Sequence, residues 1–307
     1  MGRFDERATV PARGPRDILR WKVWDKLSRE SRPPTEPFVT PSRPYDSALV
    51  AGHAAQLTWI GHASFLFTVS GKRLLVDPLL RPNLGPLRRR APVGIPAAEL
   101  PPIDYVLVTH NHRDHLDPKS LAMVPGAPLF IAPLGNAAVL RAAGAKEVVE
   151  LDWWERHDGD GLDVTLVPAR HWSMRFPWDR NDALWGGFVV RGQEGAFYHA
   201  GDTGFDEATF AAIGDRMGPI DWAMLPIGAY EPRWFMEPQH MGPEEAVRAS
   251  LAVRARNLVA MHWGTFVLTD EPPGEPPLRV RAAHRELVGD DARLFLLDVG
   301  ETRALGR

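Results

Sequence analysis

The chain has 307 residues, 44% hydrophobic and 24% charged, an ordinary globular balance that excludes wholesale disorder. Lys plus Arg number 36 against 39 Asp plus Glu, a formal net charge of −3, which argues against a protein built to grip a long nucleic acid. Cysteine is absent, so disulfides, thiol nucleophiles and zinc–thiolate sites are excluded, and any metal must be held by imidazole and carboxylate.

No stretch approaches the ~18 consecutive apolar residues of a membrane span. The opening MGRFDERATVPARG is charged and lacks the apolar run of a secretory signal. Glu6 stands where a myristoylation signal needs Ser or Thr. A soluble, cytoplasmic protein is expected. Residues 1–50 hold 10 Lys/Arg, 7 Asp/Glu and 7 Pro and read as a basic, Pro-rich N-terminal extension, with residues 51–307 as the main domain. Within the extension, Asp17–Leu27 predicts a short helix mixing Ile18, Leu19, Trp21, Val23, Trp24 and Leu27 with Arg20, Lys22 and Lys26. Its apolar positions form no single stripe, so packing over the main domain is the first expectation. Contact with a membrane surface is the second, because basic residues mixed with Trp suit an interface.

From Gln56 onward, short β-branched apolar runs alternate with helical stretches. Predicted strands are 56–60, 64–68, 73–76, 105–109, 164–167, 188–191, 196–198, 222–225 and 258–261. Asp117-Pro118 and Gly242-Pro243 predict helix starts, with Asp117 as a cap. Residues 134–143 predict a helix that Gly144 stops. Residues 272–277, rich in proline, read as a rigid loop. Strands separated by helices imply an α/β fold with helices packed on sheets.

The strongest chemical signal follows the 105–109 strand, where His110, His112, Asp114 and His115 come within six residues. A loop leaving a strand can turn His110 and His112 toward one point and Asp114 and His115 toward an adjacent one. Neutral imidazole and carboxylate are good ligands for zinc and similar divalent ions. Clustered histidines repel one another when protonated, so a merely solvated loop accounts for them poorly. Later strands run into His171, into Asp202 between Gly201 and Gly204, and into His262 ahead of Gly264. Each stands just past an apolar run, where ends of neighbouring strands converge. One tetrahedral zinc needs only three protein groups and a water. His110, His112, Asp114, His115, His171, Asp202 and His262 suffice for two divalent ions sharing Asp202. Such a pair acidifies bound water and clamps attacking and leaving oxygens, so hydrolysis is the expected reaction.

The pattern His-x-His-x-Asp-His with later His, Asp and His resembles the metallo-β-lactamase superfamily. The resemblance narrows to the N-acyl-phosphatidylethanolamine-hydrolysing phospholipase D family. The segments that carry it include 59–63, 100–104, 150–155, 184–187, 200–204, 226–236, Gln239-His240, 243–246 and 261–266, within residues 56–297. It implies an αββα sandwich, two mixed sheets flanked by helices, with a dinuclear site at one edge. It also implies that His110, His112 and His171 hold one ion, that Asp114, His115 and His262 hold the other, and that Asp202 bridges them. Zinc is the expected metal. The family cleaves a phosphodiester on its alcohol side, releasing an N-acylethanolamine and leaving phosphatidic acid. By that resemblance Asp114 orients the nucleophilic water, and His240 contacts phosphate or assists the leaving alkoxide. The expected partner is a phospholipid or small-molecule diester, with peripheral contact at the inner membrane surface and no nucleic acid. The oligomeric state is not legible. Two alternatives stay open: a metal-dependent hydrolase of a soluble ester or lactone, and a binding protein on a retired hydrolase fold. The second is disfavoured because no ligand is missing.

Weaker signals remain. Asp77 reads as a partner orienting a metal-binding His or as a turn residue before Pro78. His62 reads as a similar partner or as core, His199 as packed, and His53, His157 and His284 as surface residues. Arg88-Arg89-Arg90 suits anionic headgroups, although charge runs are more often simply solvated. Trp153, Trp154, Trp185, Trp234 and Phe235 divide between an acyl groove and the core.

Overall fold

The computed structural model describes residues 2–25, 38–289 and 291–305. Its strands, in chain order, are β1 (Gln56–Gly61), β2 (Ser64–Val69), β3 (Lys72–Val76), β4 (Asn83–Leu84), β5 (Leu87–Arg88), β6 (Ile103–Leu107), β7 (Gly126–Pro133) and β8 (Glu147–Leu151). They continue as β9 (Arg156–Asp158), β10 (Asp163–Val167), β11 (Gly187–Gly192), β12 (Gly195–His199), β13 (Ile220–Pro226), β14 (Ala255–Met261), β15 (Leu294–Phe295) and β16 (Thr302–Ala304). Two seven-stranded sheets result, ordered β16-β1-β2-β3-β6-β7-β8 and β15-β14-β13-β12-β11-β10-β9, with β4 and β5 as a separate ribbon.

Each sheet is half antiparallel and half parallel. β16, β1, β2 and β3 alternate in direction, then β3, β6, β7 and β8 run parallel. The second sheet mirrors this, with β15 to β12 parallel and β12 to β9 antiparallel. Parallel neighbours need crossovers. In the first sheet the β3–β6 crossover carries the β4–β5 ribbon, and helices Pro118–Leu121 and Ala137–Ala142 supply the next two; Glu207–Met217, Pro243–Ala252 and Glu275–Val288 serve the second.

Side chains alternate across the strands and define the layers. Phe65, Phe67, Leu74 and Val76 join Leu166, Phe188, Val190 and Phe197 in the core between the sheets. Their neighbours Leu66 and Leu75 point the other way, into a second cluster with Val50, Leu121 and Leu140 of the outer helices. Phe210, Ile213, Val247, Ala249 and Val280 bring the other three helices onto the main core. The result is an αββα sandwich. No described helix is long and apolar enough to cross a membrane.

The N-terminal extension packs onto this body. Phe4 is buried in the main core cluster, and Phe4 N–H donates to the Asn181 carbonyl at 2.8 Å. Helix Pro15–Leu19 runs into a wider turn, Arg20–Trp24, that seats Trp21 against Phe235 with ring centroids 4.8 Å apart. Lys26 and Leu27 of the predicted helix lie outside the described residues.

Several expectations need correction. The helix at 134–143 starts only at Ala137, because Gly135 turns the chain at φ +91°. The proline-rich 272–277 segment is not all loop, since a helix begins at Glu275 with proline in its first turn, where a missing N–H costs nothing. His284 is buried rather than on the surface. Arg89 does not face solvent: its guanidinium donates to the carbonyls of Arg81 at 3.0 Å and of Leu79, leaving Arg88 and Arg90 exposed. The proposed groove aromatics are spent elsewhere. Trp185 is core, Trp153 donates to its carbonyl at 2.6 Å, Trp154 lies under Arg216, and Trp234 and Phe235 lie under the N-terminal extension.

Candidate metal centre

The site forms where strands of both sheets end. His110 follows β6, His171 follows β10, Asp202 follows β12 and His262 follows β14. Every one of the seven predicted ligands converges there. Ligand atoms of His110, His112 and His171 lie within 4.8 Å of one another, and so do those of Asp114, His115 and His262. In the first group, His112 Nδ1 is 2.9 Å from His110 Nε2 and 3.1 Å from His171 Nε2. In the second, Asp114 Oδ2 is 3.6 Å from His115 Nε2 and 3.8 Å from His262 Nε2. Asp202 stands between the groups. Its Oδ2 is 3.2 Å from His115 and 3.9 Å from His110, while its Oδ1 is 3.2 Å from His262.

Neighbouring residues hold these side chains by their other atoms. Asp77 accepts the Thr109 N–H at 2.8 Å and hydroxyl at 2.6 Å and lies 2.7 Å from His115 Nδ1. His171 Nδ1 meets the Gln239 carbonyl at 3.1 Å. Such contacts fix ring orientation and leave the far nitrogen for an ion. His62 sits in the β1–β2 turn at φ 58° with Nε2 3.0 Å from Asp114 Oδ2. His199 is packed, as expected, and its Nδ1 accepts the Gly201 N–H in the turn before Asp202. His240 Nδ1 comes within 3.9 Å of Asp202 Oδ2. Arg175, which carried no sequence signal, donates to the carbonyls of Asn111 at 2.9 Å and Leu116 at 2.8 Å, clamping the metal loop.

The electrostatics fit bound metal. Burial, reinforced by neighbouring imidazoles, pushes His110 and His171 well below the usual range, and burial takes His112 to about 4. These three imidazoles are neutral, as metal ligation requires. Burial alone would raise Asp202, but His115 and His262 hold it well below the carboxylate range. Burial would lower His262, yet Asp202 and Asp114 raise it to about 9, and the same carboxylates with Asp77 raise His115. Positive charge is thus wanted where His115 and His262 meet the carboxylates. His112 Nε2, His115 Nε2, Asp202 Oδ1, His240 Nδ1 and both ring nitrogens of His262 are buried without a hydrogen-bond partner. Orphaned donor atoms in such number are costly unless a ligand completes them. The residues fit a divalent metal centre.

A family model described as a beta-lactamase superfamily domain matches residues 72–263. With this fold and these donors, the chain belongs to the metallo-β-lactamase superfamily, and it is a metal-dependent hydrolase. An uncharacterised protein of Mycobacterium tuberculosis is 40% identical over 286 residues, covering 87% of this chain and 74% of its own. N-acyl-phosphatidylethanolamine-hydrolyzing phospholipase D 1 of Caenorhabditis elegans is 36% identical over 267 residues, covering 80% of this chain and 74% of that protein. Among solved structures, a metallo hydrolase from Ignicoccus hospitalis superposes with a TM-score of 0.63 at 25% identity, covering 81% of this chain and 97% of its own.

Proposed function

We propose that this hydrolase is a dinuclear zinc phosphodiesterase of the phospholipase D type, cleaving N-acyl-phosphatidylethanolamine or a related diester. The single observation that carries the reading is Asp202, whose carboxylate reaches both halves of a seven-donor set: Oδ2 lies 3.9 Å from His110 and 3.2 Å from His115, and Oδ1 lies 3.2 Å from His262. His110, His112 and His171 would hold one ion, Asp114, His115 and His262 the other, with Asp202 shared. When bound, such a pair acidifies a water and offsets charge on phosphoryl oxygens. The chain supplies the rest. Asp114, steadied by His62 at 3.0 Å, keeps a carboxylate oxygen free to orient the attacking water. His240, neutral because burial lowers it to about 4, offers a ring N–H to a phosphoryl oxygen or to the departing alkoxide. The sequence likeness to the Caenorhabditis elegans phospholipase D supports the substrate class. A cytoplasmic location with peripheral contact at the inner membrane surface completes the proposal.

The test offers zinc-loaded protein N-acyl-phosphatidylethanolamine, bis(p-nitrophenyl) phosphate and a panel of lactones. Cleavage of the first to N-acylethanolamine and phosphatidic acid is expected, and His112→Ala should abolish it while lowering bound metal. Turnover of lactones alone would replace this reading with the ester hydrolase.

A further inference from the structure

We propose that the loop tip Phe176-Pro177-Trp178 is a docking element that seats the mouth of the metal centre on an anionic phospholipid surface. All three residues are exposed, with Phe176 at 45% and Trp178 at 79%. Consecutive apolar residues on a surface are a liability kept where they bind something. The two rings stack with centroids 5.2 Å apart and planes 6° from parallel, so they present one flat apolar plate. The tip is held outward. Asp179 Oδ1 accepts the N–H groups of Arg175 and Phe176, each at 2.8 Å, and Asp179 N–H closes the turn on the Phe176 carbonyl at 3.2 Å.

The base of this tip is fastened to the metal loop itself. Besides the Arg175 clamp on Asn111 and Leu116, Arg113 Nη2 donates to the Arg175 carbonyl at 2.9 Å, and its guanidinium lies 5.5 Å from the Phe176 ring centre. On the other side Arg180 lies 4.2 Å over Trp172, whose ring abuts that of His112 at 4.5 Å. Of these arginines, Arg113 is the exposed one and stands against the plate, while Arg175 is turned onto the metal loop and Arg180 covers Trp172. Of the two carboxylates of the segment, Asp179 is taken up by its own turn, and Asp182, at the surface, accepts the Arg3 N–H at 3.3 Å. Exposed aromatic rings beside an exposed guanidinium suit the headgroup layer of an anionic bilayer. The plate is too small for a stable protein partner. Two aromatic side chains bury ~150–250 Å² each, well short of the ~800 Å² per partner that a specific interface takes.

This surface says how substrate reaches the centre and does not depend on N-acyl specificity. The experiment sediments the full zinc-loaded chain with vesicles of phosphatidylcholine, or of phosphatidylcholine with about one-third phosphatidylglycerol. Wild type should bind the anionic vesicles at least ~10-fold more strongly than the Phe176→Ala/Trp178→Ala double variant. Both should hydrolyse soluble bis(p-nitrophenyl) phosphate alike. As a check independent of that variant, Trp178→Phe should remove part of the tryptophan emission that brominated lipid tails quench. Equal vesicle binding by wild type and variant, no binding by wild type, or unchanged quenching each overturns the proposal. So does a wild-type dimer that the double variant dissociates. Vesicle binding without cleavage of N-acyl-phosphatidylethanolamine would sink the proposed substrate and leave the docking surface standing.

Discussion

At the scale of single residues, both donor groups lean on Asp202. In the metal-free protein its charge, with that of Asp114, keeps His262 protonated up to about 9, against an ordinary value of 6.5. A raised folded-state pKa contributes stability that is whole below 6.5 and lost as pH climbs through about 9. The metal-free protein should therefore melt at lower temperature as pH rises across that window. Zinc affinity should climb over the same range, because uptake must expel those protons. Calorimetry and proton release in weak buffer check both, and a melting temperature that rises with pH contradicts the account. Asp77→Asn is a second test. It weakens the grip on His115 without touching a ligand, and zinc affinity should fall ~10–100-fold with the fold retained. The seven donors were readable in the sequence because each follows an apolar strand. Asp77 and His62 were readable only as possibilities, since a turn Asp or a loop His has bland uses as well. Arg175 was not readable, because its two carbonyl partners belong to a loop 59 and 64 positions away.

At the scale of elements, the centre depends on strands ending in register and on backbone held in tight quarters. His62 and His262 both adopt positive φ, 58° and 60°, and His262 N–H donates to the His62 carbonyl at 3.0 Å. Left-handed backbone in a non-glycine residue costs energy that surrounding structure must offset. Gly228 packs beneath this turn, where an added Cβ would lie 2.2 Å from the His262 carbonyl oxygen. Gly228→Ala should therefore displace His262, destabilise the fold by ~2 kcal/mol or more and reduce bound zinc; denaturant unfolding beside metal analysis measures both. Nine strands were legible as apolar β-branched runs, though their ends shifted by one to three residues. β7 and β8 escaped notice. The first carries Gly126, Pro128 and Pro133 within its span, and the second begins and nearly ends on Glu. Their parallel partners and covering helices override the local signal.

At the scale of the molecule, the N-terminal extension is part of the structure around the centre. Arg13 donates to the Trp234 carbonyl at 2.7 Å, Trp21 Nε1 to Asp270 at 2.8 Å, and Trp234 Nε1 to Asp25 at 2.9 Å. Trp234 and Phe235 lead directly to Gln239 and His240, so the extension braces one wall of the site. Deleting residues 1–25 uncovers the partners of Phe4 and Trp21 and should cost at least ~3 kcal/mol, with diester turnover falling more than stability alone explains. Unchanged turnover would reduce the extension to a passive cover. The α/β class was legible from strands alternating with helices, and the resemblance added the sandwich. The docking of the extension was not, because its apolar positions lack a period and their partners lie more than 200 residues away.

The most direct test of the dinuclear centre is anomalous scattering at the zinc edge from crystals of the full chain. Two peaks per chain are predicted, one among His110, His112 and His171, the other among Asp114, His115 and His262, with Asp202 touching both. A single peak, or zinc bound away from these side chains, contradicts it.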